Sequence, residues 1–248
     1  LLPNIPVLAL TATATPEVVD DIQNRLHFRE KNVFQKSFGR NNLSYVVRHT
    51  EDKMNELIHM LNKVPGTAIV YVRNRKKTKE IAEILQQAGI SADFFHAGIN
   101  HAEKELKQQR WKNGECRVIV STNAFGMGID KPDVRFVIHY NMPKNMESYY
   151  QEAGRAGRDG EPSECILYYE PRDVRTNRLF IENGEENSEL DEETRKIVKE
   201  RDLERLKQMT FYCFTSECLR QYILNYFGEK SSSYCGNCLN CQTQFEEV

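Results

Sequence analysis

Ala68-Ile69-Val70-Tyr71-Val72 runs without a charged or small polar residue. A strand with one wet face alternates apolar and polar side chains, whereas one that is apolar throughout must be covered on both faces. That is the condition of a strand inside a parallel sheet flanked by helices. Upstream, Met54, Leu57, Ile58 and Leu61 form one face of a helix over 53–63, preceded by a strand over 43–47. Downstream, a helix over 78–87 closes at Gly89 and a strand over 92–95 leads into His96-Ala97-Gly98. Asn100 and Glu103 have the spacing of a capping box for the next helix. Strands over 118–121, 136–140 and 165–169 follow, with a helix over 146–151 between the last two. Strand–helix alternation of this kind predicts a doubly wound α/β domain over about residues 37–180, with its function at the carboxyl ends of the strands.

The residues on either side of this domain read differently. Val7-Leu8-Ala9-Leu10 is a short buried-strand candidate. Thr15, Pro16 and Glu17 then read as cap, first turn and favourable N-terminal charge of a helix with Val18, Val19, Ile22 and Leu26 inward. One strand and one helix have no sheet to join, so this piece is expected to end a domain whose body lies upstream of Leu1. Residues 182–193 carry seven acids and no base, a plausible boundary, and Asp191-Glu192-Glu193 within them reads as solvated surface. A mixed-charge helix over 196–209 and a second helix over 217–227 are predicted beyond it.

A net charge of −2 over 248 residues excludes a basic coat, so nucleic-acid contact would have to come from local patches. There is no signal peptide and no apolar run of transmembrane length. Four of the seven cysteines, Cys218, Cys235, Cys238 and Cys241, fall in the last 31 residues. The last three repeat Cys-x-x-Cys with a shared middle residue, a spacing that suits a tetrahedral zinc ion, with an iron–sulfur cluster or two disulfides as the alternatives. Cys116, Cys165 and Cys213 read as structural.

The functional candidates cluster after the strands. Arg73, Arg75, Lys76, Lys77 and Lys79 follow the first quoted run, and phosphate contact and a solvated helix start are equally good readings of them. His96 and Gly98 follow the next strand; Thr122, Asn123, Gly126, Gly128 and Asp130 follow another. His96 taken alone reads as a local hydrogen-bonding residue, and Gly126-Met127-Gly128 permits close ligand approach or a plain tight turn. Gln151-Glu152-Ala153-Gly154-Arg155-Ala156-Gly157-Arg158-Asp159-Gly160 places two arginines three apart among small residues. On a helical turn both guanidinium groups would face one anion. No Gly-Lys-Ser or Gly-Lys-Thr occurs, so the arginines are expected to complete a nucleotide site begun by another domain.

Thr11-Ala12-Thr13-Ala14, the block over 68–75, His96-Ala97-Gly98, residues 121–130 and residues 151–160 resemble, in order and spacing, motifs III to VI of superfamily 2 helicases. Asn225-Tyr226-Phe227-Gly228 followed by the cysteines narrows the resemblance to the RecQ family of DNA helicases. The resemblance covers the whole chain. It implies the end of a first RecA-like domain over 1–36, a second RecA-like domain over 37–180, and a small, mainly helical zinc-binding domain over 181–248. It further implies ATP with Mg2+ held between two RecA-like domains, and translocation 3′ to 5′ on single-stranded DNA with duplex separation in repair or recombination. Arg158 would be the arginine finger, Arg155 its companion and Gln151 a polar link to the phosphate or attacking water. Asp130 and Gly128 would lie at the nucleotide; Arg73, His96, Gly98 and Thr122 would face the tracked strand. Zn2+ would be held by Cys218, Cys235, Cys238 and Cys241. The implied compartment is the nucleoid or cytoplasm in a bacterium and the nucleus in a eukaryote. A Walker A segment, a DExH box and an aromatic-rich loop are absent from the sequence, as are winged-helix and HRDC segments, so this chain alone is expected to be inactive. Two other readings stay open: a non-catalytic zinc-containing module that binds nucleic acid or protein, and a free-standing nucleotide enzyme with an unfamiliar binding loop.

Overall fold

The computed structural model describes residues 6–125, 131–184 and 191–243. Six strands, β1 (Leu43–His49), β2 (Thr67–Tyr71), β3 (Ala92–Phe95), β4 (Val118–Ser121), β5 (Val134–His139) and β6 (Ser163–Tyr169), form one sheet in the order β1-β6-β5-β2-β4-β3. Every pairing is parallel. The apolar run therefore occupies a central position, with Ile69 opposite Ile119 of β4 and Val137 of β5. Because the chain crosses from β4 on one side of β2 to β5 on the other, the carboxyl ends of these strands border the crevice where α/β sheets bind ligands.

The period of two in each strand builds two cores. Val46, Ala68, Val70, Val118, Val120, Ile138 and Ile166 meet α2 (Lys53–Lys63) and α3 (Arg75–Gln87) through Leu57, Leu61, Ile81, Ala82 and Leu85. On the other face, Tyr45, Ile69, Tyr71, Ile119, Val137 and Leu167 meet α4 (His101–Lys112) through Trp111 and α5 (Met146–Ala153) through Met146 and Tyr149. That second core continues into α7 (Glu192–Phe214) and α8 (Leu219–Tyr226) through Leu206, Met209, Tyr212 and Ile223, with Phe227 after them. Tyr149 and Tyr212 join across it, their hydroxyls 3.2 Å apart and both buried. Asx side chains set the helix starts: Asp52, Asn74, Asn100, Asn145 and Asp191 each accept from the backbone N–H three residues on. Asn100 makes its half of the capping box, while Glu103 turns toward Lys107 instead.

Two expectations are corrected. Residues 7–10 have no regular structure, with Leu8 80% and Leu10 84% exposed, since no strand lies beside them to pair with. Thr15 precedes α1 (Pro16–Arg25) in extended backbone but makes no side-chain capping bond; Pro16 presets the first turn instead, and Gln23 is the buried residue of the helix. Two helices go unforeseen, α6 (Pro171–Asn183) and α9 (Leu239–Thr243). No helix among the described residues is long and apolar enough to cross a membrane.

Candidate nucleotide and nucleic-acid site

The two arginines do not lie on a helix. α5 ends at Ala153, and Arg155 and Ala156 continue in tighter turns, their N–H groups bonding to the carbonyls of Glu152 and Ala153. Gly157 then takes a φ of +53°, and a Cβ there would lie 2.4 Å from the Asn42 amide and 2.8 Å from the Glu161 carbonyl, so glycine alone fits. The turn sits beside the amino end of β5, not at the carboxyl ends of the strands where function was expected: the Gly157 N–H bonds the Val134 carbonyl at 2.9 Å and the Asp159 N–H that of Pro132 at 3.2 Å. Arg155, half-buried, and Arg158, exposed, both border a void of about 10 Å³, room for a single water, beside the buried Trp111 and Phe125 and Lys131. Arg155 also reaches the end of β2: burial raises the pKa of the Tyr71 phenol, and the Arg155 guanidinium beside it works in the opposite direction. Gln151 is exposed on the last turn of α5 and does not border the void. Glu152 bonds the buried His139 ring at 2.8 Å, tying α5 to the end of β5. Gly128 and Asp130, like Gly126, lie outside the described residues.

The basic cluster after β2 divides. Arg73 turns to Asp173 of α6 at 2.9 Å, where the carboxylate also receives Lys53 at 2.7 Å, Asn141 at 3.0 Å and the Met142 N–H at 3.1 Å. Asp173 and Lys53 are only 3% and 4% exposed, so Arg73 is part of a buried ionic knot that fastens α6 to the sheet edge. Arg75 instead lies against the His96–Gly98 loop: a Cβ on Gly98 would stand 3.2 Å from its Nη1 and 3.2 Å from His96 Nδ1. His96 Nδ1 accepts the Gly98 N–H at 3.1 Å, which puts the neutral ring's proton on Nε2. Burial and then the Arg75 charge lower the His96 pKa, so the ring is neutral at pH 7. Lys104 donates to the Ala97 carbonyl at 2.8 Å. Arg75, His96, Gly98 and Lys104 thus form one polar strip on the carboxyl side of β3. Thr122 is buried after β4, its carbonyl receiving Ser121 Oγ and the Phe125 N–H. A cleft of about 1270 Å³ opens at the carboxyl ends of β2 and β5, bordered by Asn74, Asn141 and Lys144 on one side and by Thr176 and Lys199 on the other.

At the far end of the chain the four cysteines converge. All four Sγ atoms lie within 4.8 Å of one another, and Cys218 and Cys238 are 3.9 Å apart. A tetrahedron with zinc–sulfur bonds of about 2.3 Å has edges of about 3.8 Å, so this geometry fits one zinc ion. Cys218 caps α8, accepting from Gln221 N, and Cys241 accepts from Cys235 N, contacts that favour thiolate ligands. Burial, with the neighbouring thiols, pushes the Cys218 thiol up to about 12. A cation among these sulfurs is what makes their ionised forms favourable.

Arg40, Asn42 and Lys104 join the site without a signal of their own in the sequence. Residues 38–43 read as a linker into β1, yet Arg40 and Asn42 hold the arginine turn directly. Arg75 and Lys104 flank the His96 loop from two helices. The nearest thing to one is polar density: Arg40-Asn41-Asn42 brings more hydrogen-bonding groups to the start of a strand than a spacer needs.

Two family descriptions match this chain, "Helicase conserved C-terminal domain" over residues 52–160 and "RecQ zinc-binding" over residues 171–242. The chain is 45% identical over 238 residues to the "ATP-dependent DNA helicase RecQ" of Bacillus subtilis (strain 168), a match covering 95% of this chain and 38% of that protein. It is 40% identical over 248 residues to the "ATP-dependent helicase SGS1" of Saccharomyces cerevisiae, covering 97% of this chain and 16% of that protein. Among solved structures, a DEAD box protein from the hyperthermophile Methanococcus jannaschii shares the fold with a TM-score of 0.51 at 24% identity, over 68% of this chain and 47% of that one. Sheet, arginine turn and four-cysteine site together define a helicase-type α/β domain carrying a zinc module. The chain belongs to the RecQ family of superfamily 2 helicases. It spans less than half the length of these curated relatives, and its Cys218, Cys235, Cys238 and Cys241 form a zinc site.

Proposed function

We propose that this chain supplies the arginine half of an ATP site and part of the DNA track of a helicase that moves 3′ to 5′ on single-stranded DNA. The carrying observation is that Arg155 and Arg158 stand on one turn, beside the amino ends of β5 and β6, in a chain without a Gly-Lys-Ser or Gly-Lys-Thr loop of its own. Arg158 is the exposed member of the pair and the finger of this reading; Arg155, anchored beside Tyr71, steadies it. Gln151 serves the phosphate or the attacking water, and Gly128 and Asp130 serve the nucleotide. Mg2+ bound with ATP would neutralise charge on the phosphates. The domain division of this reading is 1–36, 37–180 and 181–248, and its supports are the two family matches.

For DNA the reading uses phosphate contacts, which grip without regard to sequence. Arg75, His96, Gly98 and Lys104 offer such a strip, and Thr122 lies at the neighbouring strand end. Arg73 contributes by fixing α6 through Asp173. Duplex junctions as substrates, repair or recombination as the setting, and a nucleoid or nuclear location belong to the same proposal.

An arginine finger acts mainly on charge that develops in the transition state. In the full-length protein Arg158→Ala should therefore lower ATPase kcat by roughly 10³-fold with little change in ATP or DNA affinity. Arg158→Lys should recover little, since lysine lacks the planar fork that reads two oxygens. Near-normal kcat in a folded Arg158→Ala protein would remove the finger from the mechanism.

A further inference from the structure

The arginine turn leaves several carbonyls where the helix that precedes it stops, and a distant side chain collects them. Arg40 donates from Nη1 to the Gly154 carbonyl at 3.3 Å and from Nη2 to the carbonyls of Ala156 at 3.0 Å and Gly157 at 2.9 Å. Asn42 adds bonds to the carbonyls of Gly157 at 2.7 Å and Glu161 at 3.0 Å. A cation at the carboxyl end of α5 is also favoured by the helix dipole. Two of the four residues over 154–157 are glycines, so the backbone there has little stiffness of its own.

The segment that makes these bonds is itself held from the opposite side. Arg220 of α8 donates to Asn41 Oδ1 at 3.1 Å and to the Leu43 carbonyl at 2.6 Å, and Asn237 of the zinc module donates to the Asn41 carbonyl at 3.1 Å. Arg220 follows Cys218 by two residues, and Asn237 lies between Cys235 and Cys238. Residues 40–43 are thus a strut with the zinc knuckle on one side and the arginine turn on the other.

We propose that Arg40 is a positioning residue for ATP hydrolysis: by gathering the carbonyls of Gly154, Ala156 and Gly157 it fixes the turn from which Arg155 and Arg158 project. This rests on the finger reading above and deepens it. The chemistry explains why arginine is used. One planar guanidinium spans three carbonyl oxygens, whereas an ammonium offers a single point charge. Catalytic groups must be held within about 0.5 Å of their working geometry, and misplacement of about 1 Å costs on the order of 10²-fold in rate. Arg40 therefore acts on kcat through Arg158 and leaves ground-state binding of ATP and DNA nearly unchanged.

The test uses the full-length protein, comparing DNA-stimulated ATPase of wild type, Arg40→Ala, Arg40→Lys, Arg158→Ala and the double variant Arg40→Ala/Arg158→Ala. Arg40→Ala should lower kcat by roughly 10- to 100-fold with KM for ATP and oligonucleotide affinity close to wild type. Arg40→Lys should fall between the two. In the double variant kcat should equal that of Arg158→Ala alone, because a misplaced finger that is already absent costs nothing more. Wild-type kcat in Arg40→Ala beside a crippled Arg158→Ala would overturn the positioning role and leave the finger standing. So would a double variant that loses the product of the two single effects. Near-normal kcat in Arg158→Ala would instead sink the finger and, with it, Arg40's route of action. Should Arg40→Ala lose zinc or fail to fold, Arg40→Lys decides: reduced kcat at full zinc content supports the role, and wild-type kcat overturns it.

Discussion

The two faces of the sheet are equally apolar but are closed in different ways. α2 and α3 come from between consecutive strands and cover one face with Leu57, Leu61, Ile81 and Leu85. The other face is only begun by α4 and α5; it is completed by Leu206, Met209, Tyr212 and Ile223 from helices beyond the last strand. The first cover comes with the βαβ connections themselves. The second must be fastened, and the fastenings are polar or metallic: the cysteine site, the Asp173 knot and the Tyr149–Tyr212 bond.

Breaking those fastenings one at a time should loosen the second face before the first, with effects that fall in a definite order. Zinc comes first, because structural zinc contributes apparent binding free energy of roughly 10–16 kcal/mol in small modules. Zinc-free protein should lose amide protection through α8 and α9 while the α2 and α3 face keeps its slow exchange. Uniform loss across both faces, or unchanged protection in α8, would erase the contrast. The ionic knot is next. Asp173→Asn leaves Lys53 and Arg73 facing a neutral amide in a buried site, and removing one partner of such a pair costs about 3–5 kcal/mol. Denaturant melting should show that loss, and a decrease below about 1 kcal/mol would mean that the knot is solvated in solution. The smallest effect belongs to Tyr212→Phe, which removes one neutral hydrogen bond and should cost about 1 kcal/mol at unchanged zinc content.

What was legible in the sequence follows from the same contrast. All six strands could be read because each carries its apolar residues in one short stretch, and the cysteine site could be read because ligand spacing is local. Val7-Leu8-Ala9-Leu10 has the same local signature without a partner strand, so apolarity alone misled there. α6 was invisible to hydrophobic periodicity because its buried residues are Asp173 and Asn177, both polar. The arginine pair could be found, but its turn could not, since the clamp on it comes from Arg40 and Asn42 more than a hundred residues away. Arg73 and Arg75 were indistinguishable on paper. Only the fold sends one to a buried acid and the other to the His96 loop.

The outer strand of the sheet, β1, has a further consequence. Seven residues long, with Leu43, Tyr45, Val46 and Val47 buried, it would in most proteins be a template for a strand from another molecule. Here its first carbonyl, at Leu43, is taken by Arg220 and Asn237, and the His49 ring at its other end meets the Cys213 carbonyl at 2.8 Å. The metal module is therefore also a guard against self-association. A chelated sample whose second face has opened carries a bare strand edge beside exposed core, so its natural fate is assembly with its own kind, read as rising light scattering, sooner than a clean return to the native state once zinc is restored.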